Sequence, residues 1–246
     1  MAGRMSMTNS SSSHDSRASV SGLLYLLQVA STTYPTGAFN HSYGFETLVE
    51  DGMLESEETL FNVARDWLLY ALSPGDGCAV ALAHRYAKGR RWADLAVLAA
   101  LVGQIKLPRE TREASEQTGT AFMTATRSCL DGPALEGFSV LVSDGECPCH
   151  QAVAFGIAAA DAGVAEHDAT LAFLHSSISN VVSVAARLIP LGQIATQRIL
   201  ANCWPHIEAG TELARSRDET SMSSACTAVE IAAMRHETQR VRLCMS

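Results

Sequence analysis

Leu171-Ala-Phe-Leu-His-Ser-Ser-Ile-Ser-Asn-Val-Val-Ser-Val-Ala-Ala-Arg-Leu188 is the stretch on which the fold turns. Its apolar residues Leu171, Leu174, Ile178, Val181, Ala185 and Leu188 are spaced 3, 4, 3, 4, 3. That is the period of one helix face turned toward a core. Pro190 falls inside the continuing pattern. It removes a backbone donor and clashes with the carbonyl of Ala186, which predicts a kink or a break.

Working outward, the same period recurs along most of the chain. Leu23, Leu24 and Leu27, with Leu26 and Ala30, read as a helix that ends at the turn signal Tyr34-Pro-Thr-Gly37. Helices are expected over about Asn40–Asp51, closed by Gly52, and over about Ser56–Leu72. Ser56 is an N-cap with Thr59 three residues on, and Ser73-Pro-Gly75 acts as the stop. Further helices fit 77–88, 92–106, 109–130 and about Gln151–Ala162, and shorter ones fit 205–216 and 225–236. Arg109/Glu113 and Arg112/Glu116 are spaced for weak surface pairs on one of them. Residues 132–149 carry no clear period. No alternating run supports a strand. The expected fold is all-α, a single-domain bundle of about ten helices over 20–236. A disordered Ser-rich tail over 1–19 and a flexible tail over 237–246 complete it.

Composition narrows the function. Hydrophobic residues make up 47% of the 246, enough for a well-buried core, and aromatics only 6%. A net charge of −8, with no basic stripe, argues against nucleic acid and against an anionic membrane surface. Residues 1–19 have no apolar core of a signal peptide, and the longest uncharged stretch, from Ala169 to Ala186, holds too many polar groups for an isolated span. A soluble, cytoplasmic protein is the expectation. The seven cysteines are odd in number and scattered, which reads as reduced thiols.

Catalytic signatures fail one by one. The phosphate loop, the dinucleotide-binding glycines and the nucleophile elbow are all missing. His236-Glu237 begins a zinc-protease pattern, but Arg240 stands where the second His is needed. Cys147-Pro-Cys149-His150 has soft-ligand chemistry, yet no second ligand pair follows it, so the simpler reading is a turn before a helix. No paired carboxylates or triad can be picked out, no cofactor is expected, and the chain is not expected to be an enzyme.

Three stretches are unusual for a generic helical protein: Tyr34-Pro-Thr-Gly-Ala-Phe-Asn-His-Ser-Tyr-Gly-Phe-Glu46, Arg187-Leu-Ile-Pro-Leu-Gly-Gln193, and the C-terminal run from Met234 to Ser246. With Glu110-Thr-Arg-Glu-Ala-Ser115 and His150-Gln-Ala-Val-Ala-Phe-Gly156, they resemble, in order, the hallmark segments of the urease accessory protein UreF family. The resemblance spans about residues 20–246. Phe45 stands where the family usually has Leu, and Cys244 where it usually has Phe. The Cys147/Cys149 pair is not a family feature.

The resemblance implies an all-helical homodimer that binds UreD (also called UreH) and recruits the GTPase UreG, so that nickel is delivered to apo-urease. It also implies partner-binding residues: Pro35, Gly37, Phe39, His41, Ser42, Gly44, Glu46, Arg187, Gln193, Met234, Arg235, His236, Glu237 and Arg242. Read physically, Pro35, Gly37, Phe39 and Gly44 serve a turn and its packing. Glu46 has no basic residue within four positions, which leaves an exposed acid waiting for a basic partner, or a solvated one. Arg187 is either paired within the chain or offered to the GTPase. The C-terminal run is either frayed or folds on a partner.

Overall fold

The computed structural model describes residues 20–240 and 242–244. Among them every regular element is helical: α1 Val20–Val29, α2 Phe45–Glu50, α3 Glu57–Trp67, α4 Cys78–Lys88, α5 Trp92–Ile105, α6 Arg109–Arg127, α7 Pro133–Ser143, α8 Gln151–Asp161, α9 Glu166–Leu188, α10 Gln193–Arg215 and α11 Thr227–His236. The expected tail over 1–19 lies outside the described residues.

The centre of the molecule is the pair α4 and α8, packed face to face with α5, α6, α7, α9 and α10 around them. Their composition explains the position. Nearly every residue of Cys78–Lys88 and of Gln151–Asp161 is buried, and alanines dominate both. Small side chains let the axes approach: a Cβ on Gly156 would stand 2.4 Å from the Val80 carbonyl oxygen. Phe155 then sits between Phe122 and Phe173, tilted against the first and edge-on to the second, with ring centroids 5.5 and 5.4 Å away.

The seam read from Leu171 to Leu188 faces this core, with Leu174, Ile178, Val181 and Ala185 fully buried. The helix stops at Leu188 and Ile189 is extended (φ −97, ψ 143), so Pro190 sets a break rather than a kink. By length and composition α9 could also cross a membrane, but here half of its apolar window is buried among its neighbours.

Several elements differ from the sequence expectation. The helix expected from Asn40 is only α2, because Tyr43 and Gly44 have φ of 50 and 88, left-handed positions that no helix carries. Ser56 does cap α3 in a reciprocal box with Thr59. Ser73-Pro-Gly75, however, does not stop the chain. Residues Leu68–Gly77 form a wide π-helical passage straight into α4. Carbonyls in that passage are taken by a remote segment: Ser223 donates to Pro74 O at 3.2 Å and Ala225 to Tyr70 O at 3.0 Å.

Residues 132–149 contain α7, whose first N–H groups at Ala134 and Leu135 are capped by the Asp161 carboxylate at 3.2 and 2.8 Å. α10 begins at Gln193, far before the expected 205, and runs through Pro205 on its exposed side, where water can serve the carbonyl left without a donor. The surface pairs expected on α6 do not form. Arg109 pairs with Glu237 at 3.1 Å, and Arg112 donates to Lys106 O at 2.9 Å.

Candidate partner-docking site

The segment from Tyr34 to Glu46 is held from three sides. Tyr34 is buried with its hydroxyl 2.9 Å from Thr126 Oγ1. Asn180 of α9 donates to Ala38 O at 2.9 Å, and the exposed Arg187 donates to Phe39 O at 3.0 Å. Gly44 is pressed against α11, where a Cβ would meet Ala233 N and Val229 O at 2.7 Å each. Glycine at 44 therefore answers two demands at once, a positive φ and a missing side chain. Gly37 needs only the first, since nothing lies within 4 Å of its Cβ position.

The expectation of an exposed Glu46 is corrected here. Glu46 is 5% exposed and sits at the centre of a network built from four parts of the chain. Its Oε2 lies 3.1 Å from His236 Nε2. His236 is fully buried, and its other ring nitrogen faces Glu110 Oε2 of α6 at 2.9 Å. Each ring nitrogen of His236 thus faces one carboxylate oxygen. Glu46 also accepts the main-chain N–H groups of Leu243 and Cys244, at 2.7 and 3.0 Å. Burial, then the Glu46 carboxylate, pushes the Cys244 thiol above its ordinary range.

The described part of the C-terminal run makes several contacts with the body of the chain. Arg242 reaches Glu110 Oε1 at 2.8 Å, Arg235 grips Asp51 through both terminal nitrogens at 2.5 and 3.0 Å, and Thr47 donates to Gln239 Oε1 at 3.1 Å. Val241 and Met245, which alternate with its charges, lie outside the described residues. His41 and Ser42 are buried as well. Pro35, Phe39, Arg187, Gln193, Met234, Arg235 and Arg242 remain on the surface, Phe39 at 49% and Met234 at 41% exposure.

The structure therefore joins Glu46, His236, Glu237 and Arg242 and separates them from Gln193, which stands exposed at the start of α10. Glu110, Arg109 and Asp51 complete the network although none was singled out as a site residue. The signal for Glu110 lies in its own hallmark segment, Glu110-Thr-Arg-Glu-Ala-Ser115.

Cys147, Cys149 and His150 do not make a ready ligand set. All are buried, and burial raises the Cys147 thiol and pushes that of Cys149 up to about 12. His150 spends Nδ1 on Ser115 Oγ at 3.1 Å, and burial first, with Lys106 second, lowers it to about 4. Among the described residues no group of three or more His, Cys, Asp or Glu converges on a metal position.

The UreF family model matches residues 54–203, more than half of the chain. The chain belongs to the UreF family of urease accessory proteins. The urease accessory protein UreF of Arthrobacter sp. (strain FB24) is 34% identical over 223 residues, covering 91% of this chain and 96% of the relative. Those of Nostoc sp. (strain PCC 7120) and Bradyrhizobium diazoefficiens are each 33% identical, covering 89% and 90% of this chain and 94% and 90% of theirs. UreF membership thus extends over nearly all of α1 to α11, not only over the matched core.

Proposed function

We propose that this UreF-family chain is a non-catalytic scaffold that binds UreD (UreH) and recruits UreG for GTP-dependent nickel insertion into apo-urease. The observation that carries the reading is family membership along nearly the whole chain. The surface agrees with it. Phe39, Arg187, Met234 and Arg242 stand exposed: Arg187 at the α9 end is bonded to the loop at Phe39 O, and the Glu46–His236–Glu110 network joins α2, α6 and α11. Large apolar side chains left in water beside oriented arginines suit a protein partner. A homodimer, a cytoplasmic setting, a domain over 20–236 with a C-terminal partner-binding tail, and no dealings with nucleic acid or membrane belong to the same reading.

The test is co-expression with UreD and UreG, followed by size-exclusion chromatography with light scattering. The full chain is compared with one ending at Glu237, which keeps His236 and its two carboxylates. A complex with the full chain that the shortened chain cannot form supports the scaffold and the role of its tail. Failure of both to bind rejects it.

A second reading, regulation of the GTPase, is favoured at one residue. Arg187 is exposed and spends one nitrogen on Phe39 O, leaving the rest of its fork for a partner. Arg187→Ala should then abolish any effect of this chain on GTP hydrolysis by UreG, and an unaltered rate rejects that reading. Glu46, being buried, does not support it. Direct nickel carriage by Cys147, Cys149 and His150 is disfavoured, since thiols raised by burial resist the deprotonation that a metal requires.

A further inference from the structure

The turn between α4 and α5 holds an arginine where the backbone asks for glycine. α4 ends in a pair of main-chain bonds: Arg90 N donates to Ala87 O at 3.1 Å and Arg91 N to Tyr86 O at 2.9 Å. That ending needs one left-handed residue, a position that glycine fills without steric cost. Here it is Arg90, at φ 51, although Gly89 stands directly before it with an ordinary φ of −84. A side chain kept at a strained position points to what that side chain does.

Arg90 lines a cleft of about 360 Å³, within the size range of small-molecule sites, roughly 300–1,000 Å³. Lys88, Trp92, Pro133 and Asp161 line it as well. The indole is seated by a glycine, since a Cβ on Gly137 would stand 2.6 Å from Trp92 Cη2. The charges of the turn divide in two. Arg85 and Arg91 are paired, with Glu166 at 2.7 Å and Asp94 at 2.6 Å. Lys88 and Arg90 make no ion pair among the described residues. Asp161, the acid among the lining residues, gives its two oxygens to the N–H groups of Ala134 and Leu135. In a chain of net charge −8, two unpaired cations on one concave wall stand out. The negative end of α4 favours a cation nearby, but that asks for neither a cleft nor a strained φ.

We propose that this cleft binds a phosphate monoester carried on a flat ring, with Lys88 and Arg90 on the phosphate and Trp92 against the ring. A monoester bears close to two negative charges at neutral pH, which two unpaired cations match and a single carboxylate does not. An arginine fork takes two phosphate oxygens at once, and an ammonium adds a point charge. An indole offers a planar group a stacking surface. A nucleoside monophosphate is the simplest molecule of that chemistry. The cleft shares no residue with the docking site, and its assignment does not rest on the scaffold reading.

The test titrates the full chain with adenosine monophosphate, inorganic phosphate and adenosine at constant ionic strength, by calorimetry and tryptophan fluorescence. The monophosphate should bind, inorganic phosphate should bind roughly tenfold more weakly, and adenosine should not bind measurably. Arg90→Gly supplies the residue the backbone prefers. Its melting temperature should equal or exceed that of the wild type, while affinity for the monophosphate falls roughly tenfold or more. Trp92→Phe should remove the fluorescence response, which separates Trp92 from the other two tryptophans. No binding by the wild type, or an unchanged affinity in Arg90→Gly, overturns the site. Equal affinity for inorganic phosphate and the monophosphate overturns the ring's part in it. An oligoglutamate peptide that binds through Arg90 where the phosphates do not makes the cleft a seat for an acidic protein segment and overturns the small-molecule reading.

Discussion

His236→Ala removes the centre of the buried network and leaves its two carboxylates behind. In the native fold His236 is fully buried, Glu46 is 5% exposed, and the Glu110 side chain 16%. The imidazole bridges them at 3.1 and 2.9 Å, so its loss places two acceptor-only groups across an empty site. Breaking a buried pair from one side costs about 3–5 kcal/mol, because the charge left behind is desolvated and uncompensated. Here the Leu243 and Cys244 N–H groups and Arg242 remain as partial compensation, which places the expected loss near the lower end, about 3 kcal/mol. At roughly 2–4 °C per kcal/mol for a chain of this size, the melting temperature should fall by about 6–12 °C. Chemical denaturation followed by circular dichroism measures it directly, with an unchanged slope as the sign that the unfolded state is not the cause. Adding Glu110→Gln to His236→Ala should recover part of the loss by removing one of the facing charges. A loss below about 1 kcal/mol, or no recovery in the double variant, refutes the mutual dependence of these three side chains.

Other consequences follow from single contacts. Gly156→Ala drives a Cβ to 2.4 Å from the Val80 carbonyl at the heart of the α4–α8 pair, and should cost about 2–3 kcal/mol in equilibrium unfolding. Ser56→Ala breaks the reciprocal cap of α3 and should cost about 1 kcal/mol, read the same way. His150 is lowered to about 4 by burial, so the unfolded chain binds its proton first; stability is full above about pH 6.5 and declines as pH falls toward 4. Unfolding at pH 7 and pH 5 should therefore show a loss of up to about 2 kcal/mol at pH 5 that His150→Gln lacks. Burial pushes the Cys149 thiol up to about 12, so at pH 8 iodoacetamide followed by peptide mapping should label Cys129 and spare Cys149.

What the sequence made legible was whatever a short window decides. The Leu171–Leu188 seam, the Ser56 cap and the stop before Pro190 need only neighbours three or four residues away, and all three are present. What it concealed was decided by remote partners. α7 starts where Asp161 supplies its cap from 26 residues on, and the π-helical passage through Pro74 stands because Ser223 and Ala225 take its carbonyls. Glu46 is the sharpest case. No base lies near it in sequence, and the one that buries it, His236, is 190 residues away. The hallmark residues around both positions were visible; that they meet in the core was not.

The proposed function makes this chain an adaptor in urease maturation. The direct measurement is the nickel content and urease activity of apo-urease incubated with UreD, UreG, GTP and nickel, with and without the full chain. An adaptor role predicts nickel incorporation and activity only when the chain is present. Equal incorporation without it rejects that role.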